Sequence, residues 1–155
     1  MKWIVVILIT IVLTSGCDKH INPDYKDIYT LALESLMEEE NGLNSDMKYL
    51  AINFKTLSNI DENDVSMIMK YFAKYDVEVL DESFNSLNDK GMVFESNYIE
   101  GVLLEVTNVE VINKKKFKVE CSKFRSGKGA IGLECIIIFT GGSWKVEETK
   151  ITWIS

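Results

Sequence analysis

The chain is short of the residues from which most active sites are built. It has one histidine, one proline and three cysteines in 155 residues. A single histidine excludes a histidine-rich zinc centre. That residue, His20, lies three positions after Cys17 in a polar stretch. A Ser-His-Asp or Cys-His site would have to stand on that tether, against the rigid placement such chemistry needs. There is no low-complexity run and no internal repeat. Basic residues are outnumbered, 17 against 24 acidic, for a net charge of −7. That balance argues against a nucleic-acid partner and disfavours adsorption to anionic lipid through net charge.

What is present begins at the amino terminus. Lys2 supplies a positive charge, Ile4 to Leu13 is apolar apart from Thr10, and small Ser15 and Gly16 precede Cys17. The run is shorter than the ~20 apolar residues a membrane span requires and has the length and flanks of a signal peptide. Leu13 to Cys17 resembles the bacterial lipobox, with its leucine one position earlier than usual. The resemblance implies that residues 1–16 are a cleaved lipoprotein signal peptide and that Cys17 carries a diacylglycerol. Residues 17–22 are then a lipidated tether. Residues 23–155 form one α+β domain, large enough to bury roughly two-thirds of its chain surface. Two acyl chains give stable anchoring where one does not. The protein is therefore expected at the cell membrane, lipid-anchored on its extracytoplasmic face.

Hydrophobic periodicity orders the rest. Asn22 and Pro23 read as the start of a helix with Tyr25, Ile28, Leu31, Ala32, Ser35 and Leu36 on one face. Glu38-Glu39-Glu40 closes it and opposes its dipole. Met47 to Phe54 reads as a strand, Asp61 caps a second helix over Val65, Ile68, Met69 and Phe72, and Asp76 to Leu80 reads as a second strand, making a βαβ unit. Asp81 is expected to cap a third helix that Gly91 ends. Four strands follow, near 98–112, 117–125, 130–140 and 144–154, as an antiparallel meander packed on the helices. The nearest architecture by analogy is cystatin-like or NTF2-like. Centring the middle hairpin on Lys128 places Phe117 opposite Phe139, Val119 opposite Ile137 and Cys121 opposite Cys135. In the last hairpin Phe139 meets Trp144 and Ile137 meets Val146. A bulge near Glu147-Glu148 then turns Ile151 and Trp153 inward.

No reactive set assembles from these elements, so neither a catalytic residue, a metal nor a cofactor is assigned. Direct opposition of Cys121 and Cys135 falls within disulfide range, in a compartment where disulfides persist; otherwise both are small buried hydrophobes. Lys123, Arg125 and Lys128 near one bend are candidates for contact with an anion, against the plainer reading of a solvated basic loop. Gly127 to Gly132 matches G-x-G-x-x-G, but a strand follows it where nucleotide binding needs a helix. Asp61 to Asp64 starts like a calcium loop and fails at Val65 and Ser66. Glu147 and Glu148 are strand neighbours and point to opposite faces.

The leader, the order of elements, Ser122-Lys123-Phe124-Arg125-Ser126-Gly127, Trp144-Lys145-Val146 and the closing Thr152-Trp153-Ile154-Ser155 resemble a group of small uncharacterised lipoproteins of Bacillus-type Gram-positive bacteria. The resemblance implies a lipoprotein and adds to the case for ligand capture. The anchor, the compact domain and the lack of an assembled reactive set lead to the expectation of a membrane-anchored module, non-catalytic, binding a small ligand or an envelope protein partner. An immunity-type protective lipoprotein, an accessory substrate-capture protein of a transporter, and a hydrolytic enzyme with an unrecognised site are the alternatives.

Overall fold

The computed structural model describes residues 22–155. The leader, Cys17, His20 and the readings attached to them lie outside the described residues. Among the described residues no helix is long and apolar enough to cross a membrane.

The fold is mixed α+β, dominated by one large sheet. Helix α1 spans Tyr25–Glu38, α2 spans Glu62–Phe72 and α3 spans Phe84–Asp89. The caps correct the sequence reading. Helix α1 is capped by Asp24, whose side chain accepts from the Asp27 amide at 3.1 Å, and not by Asn22. Asp61 caps α2 as expected, in a reciprocal capping box with Asp64, which accounts for the acids that begin like a calcium loop. Helix α3 is capped by Ser83, not Asp81. A carboxylate at 81 ends a strand instead and accepts from the Phe54 amide at 3.4 Å.

Strands β1 (Tyr49–Ile52) and β2 (Glu78–Asp81) pair in parallel around α2, completing the βαβ unit. A small hairpin, β3 (Val93–Phe94) and β4 (Tyr98–Ile99), stands apart. Four long strands follow: β5 (Val102–Asn113), β6 (Lys116–Ser126), β7 (Gly129–Thr140) and β8 (Ser143–Ile154). The sheet runs β2-β1-β5-β6-β7-β8, so the two short strands extend the same sheet, with β1 parallel to both its neighbours. All four residues of β1 are buried because the sheet is covered on both faces there. Leu50 and Ile52 join the main core under α1 and α2, whereas Tyr49 and Ala51 join a second cluster with Leu87, Ile99 and Leu103. Gly101 lets this second cluster close: a Cβ there would lie 2.5 Å from the Tyr49 carbonyl and 2.4 Å from its ring.

The middle hairpin holds the expected faces but not the expected partners. Phe117 pairs with Ile137, Val119 with Cys135 and Cys121 with Leu133. The turn closes over two residues, Gly127 and Lys128, and an irregularity between Phe124 and Ser126 takes up one more. The partners are displaced by two, so parity and burial survive. The last hairpin pairs Phe139 with Trp144 and Ile137 with Val146, and the bulge falls at Glu147. A second irregularity beyond Ile151 changes the ending. Ile151 stays opposite Leu133 yet remains partly exposed, and Trp153 turns to the other face, opposite Gly132. A Cβ at 132 would lie 2.1 Å from the Trp153 indole nitrogen, so the glycine makes room for the ring.

Candidate binding groove

Helix α1 crosses the inner face of the sheet with Ile28, Tyr29, Ala32, Leu33, Leu36 and Met37 buried. It leaves the edge strand β8 only partly covered. The gap between α1, α2 and β8 is a groove with two adjoining hollows that share Leu31 and Trp144. One, of about 350 Å³, is walled by Met67 and Tyr71 of α2 and by Lys26 and Asp27. The other, of about 430 Å³, is bordered by Glu34, Glu38, Glu39 and Lys145.

The floor is rigid. Trp144 is buried to 7% exposure and makes edge contacts with Phe117 and Phe139 at ring separations of 5.4 and 5.3 Å, a geometry that contributes beyond simple area burial. The wall is adaptable and apolar, with Met67 47% and Tyr71 42% exposed. Glu34 is fixed between α1 and α2: it accepts from the Tyr71 hydroxyl and from Lys74 Nζ, the latter at 2.6 Å to Oε2. The Lys74 ammonium lies 4.2 Å from the Tyr71 ring centroid. The hydrogen bond to Glu34, with burial, raises the Tyr71 phenol above its ordinary value. Burial alone would lower Lys74, but hydrogen bonds to Glu34 and Tyr71 outweigh it and the ammonium is raised. Both groups therefore stay protonated at neutral pH and act as donors, not as bases. An apolar floor and an apolar wall, with a few fixed polar groups at Glu34 and Lys74 beside them, are suited to binding.

The residues singled out in the sequence lie elsewhere. Cys121 and Cys135 are buried free thiols on the inner face. The register makes them diagonal neighbours, not the directly opposed pair expected. Both thiols point at the Ala32 carbonyl of α1, at 3.9 and 4.0 Å. Contact with Cys135 and burial push the Cys121 thiol well above its usual range, which favours the neutral thiol.

Lys123, Arg125 and Lys128 do not converge on an anion. Lys123 is fully buried, and its ammonium donates to the carbonyls of Met37, Glu39 and Glu40 and to Asn44 Oδ1. It caps the carboxyl end of α1, where orphan carbonyls collect. Burial lowers it to about 8, with Glu39 and Glu40 opposing the fall. Arg125 donates to the carbonyls of Leu43, at 2.7 Å, and Ser45. Lys128 alone stands exposed, on the turn. The G-x-G-x-x-G stretch is that turn and the start of β7. Glu147 sits on the bulge and pairs with Lys116 at 2.6 Å. Among the described residues no group of three or more His, Cys, Asp or Glu is placed to hold a metal.

The groove residues Glu34, Met67, Tyr71 and Trp144 were not singled out from the sequence as a site. One signal for them exists: Met67 and Tyr71 are an i, i+4 apolar pair off the buried face of α2. Comparison with protein-family models, with curated proteins and with solved structures finds no match to this chain.

Proposed function

We propose that the protein is a membrane-anchored extracytoplasmic lipoprotein that binds an envelope protein partner through the α1–β8 groove and carries out no catalysis. The observation that supports this most is the groove itself: an open, apolar strip with exposed Met67 and Tyr71 beside a rigid Trp144 floor. Buried apolar side chains of helices and sheet form one continuous core, and the groove lies at its surface, where an exposed apolar strip marks an interaction site. A small ligand is the second reading, favoured by the first hollow, whose volume of about 350 Å³ lies in the range of small-molecule sites. The immunity-type and transporter-accessory roles are versions of the first reading. The likeness to Bacillus-type lipoproteins, the four-stranded meander as the defining unit of the fold and its cystatin-like or NTF2-like analogy belong to the same proposal.

Two measurements test it. Intact mass and detergent partitioning should give a diacylglycerylated product lacking residues 1–16, and an unprocessed Cys17→Ala chain; a cleaved, unmodified, aqueous-phase product would overturn the anchor. A photo-cross-linking residue at Met67 should yield one discrete adduct in cells, abolished by Leu31→Glu and absent when the probe replaces Lys118 on the outer face. Equal adducts from both positions would overturn the groove as the binding surface.

A further inference from the structure

We propose that the β5–β6 hairpin tip is a second membrane contact, docking on anionic lipid headgroups and holding the domain in one orientation above the bilayer. The orientation rests on the anchor reading above; the lipid affinity of the tip does not.

The tip is Val111 to Lys116. Val111 and Ile112 are 54% and 47% exposed. Asn113 pairs with Lys116 across a two-residue turn of Lys114 and Lys115, both exposed. Asn113 Oδ1 accepts from the Lys115 amide at 2.8 Å, and the Lys115 carbonyl accepts from the Phe139 amide at 2.8 Å. The turn is thereby fixed on β7. Lys116 is paired with Glu147, whereas among the described residues Lys114 and Lys115 pair with no carboxylate. Two apolar side chains beside two uncommitted ammonium groups match the boundary between anionic headgroups and acyl chains.

Position makes the tip relevant. Tyr25, the first residue of α1, packs edge-on against Phe117, the residue after the tip, with ring centroids 5.7 Å apart. The point where the chain enters α1 and the lysine turn are therefore at one end of the molecule. From Cys17, five residues reach at most ~17 Å before Pro23, so a lipid there keeps this end near the bilayer. Glu38, Glu39 and Glu40 are at the far end of α1, ~21 Å along a helix of 14 residues at about 1.5 Å per residue. At the tip's end Asp24 and Asp27 are taken up by Lys26 and Glu147 by Lys116, which leaves Lys114 and Lys115 for an anionic leaflet to attract. Tethering raises the effective concentration of the tip at the surface, so a contact that recruits a free protein only weakly, but measurably, holds an anchored one in one orientation. The net charge of −7 does not describe this local pair.

The test uses the lipidated chain in vesicles of phosphatidylcholine with or without phosphatidylglycerol. An environment-sensitive fluorophore on Ile112→Cys should shift to the blue with phosphatidylglycerol. The same probe on Glu95→Cys, on a turn that contacts Gly127 at the opposite end, should not respond. A second arm floats unlipidated residues 17–155 carrying Cys17→Ala, which retain every core residue, on the same vesicles. Lys114→Glu with Lys115→Glu should weaken flotation on phosphatidylglycerol by roughly thirtyfold or more, the worth of two lysines near an anionic surface at ~1 kcal/mol each. An unchanged emission at 112, an equal shift at 95, or flotation indifferent to the charge reversal overturns the proposal. A wild-type chain that stays in the aqueous phase overturns the anchor instead, and the flotation arm then decides the tip.

Discussion

The two ends of α1 treat cations in opposite ways. At its amino end Lys114 and Lys115 stand in solvent on a fixed turn, with no partner among the described carboxylates. At its carboxyl end Lys123 and Arg125 reach inward from β6 and spend their donors on backbone oxygens of residues 37–45 and on Asn44 Oδ1. The first pair is available to a partner and the second holds the fold together. The second end also shows how the run Glu38-Glu39-Glu40 is tolerated at a helix terminus that disfavours negative charge: a buried ammonium lies directly against its carbonyls.

The largest break in this contrast should come from Lys123→Met. It keeps the length of the stem but strips four oxygens of their donor, and should destabilise the fold by about 2–3 kcal/mol, read from denaturant unfolding at neutral pH. Titration sharpens the point. Unfolded Lys123 releases its proton near 10.5 and native Lys123 near 8. Between these values the unfolded chain binds more protons, so the contribution of this group to stability rises with pH. The gap between wild type and Lys123→Met should therefore widen from pH 8 to pH 10; a constant or narrowing gap would contradict a buried, charged Lys123.

Gly132→Ala comes next. It places a methyl group where the Trp153 ring lies and should cost about 1–2 kcal/mol, with a change in tryptophan emission as the ring is displaced. Arg125→Ala should cost about 1 kcal/mol and raise amide exchange across residues 41–46 without touching the core. Lys114→Ala with Lys115→Ala should change stability by no more than about 0.5 kcal/mol. A large loss there would mean that the tip, too, holds the fold together.

Much of the architecture was legible in the chain. Alternation along β6 and β7 placed Phe117, Val119, Cys121, Leu133, Cys135 and Ile137 on one face, because a strand has a period of two. The bulge at Glu147 was legible as well, since an unbroken register would have carried Glu148 and Lys150 inward. Partner identity was less so. A two-residue turn and one irregularity moved the register by two, which conserves the apolar pattern and leaves no trace in it. The outward face of Trp153 is not legible for the same kind of reason, since a second irregularity near the end of β8 sets it. The groove was the least legible part. Its residues come from α1, α2 and β8, separated by many tens of positions, and no local pattern joins them.

The sequence by itself determined the periodicities, the places where the chain turns, the Asp61 cap of α2 and the scarcity of catalytic residue types, because each is a matter of composition or of neighbours within a few positions. Only the tertiary structure decided which lysines are structural and which are free. Lys123 and Lys115 are alike as sequence, each a lysine near a bend among other cations. The packing of α1 across β6 encloses one in backbone oxygens, and the turn leaves the other in water. Burial and partners are properties of the assembled chain, and they set the fate of a charge.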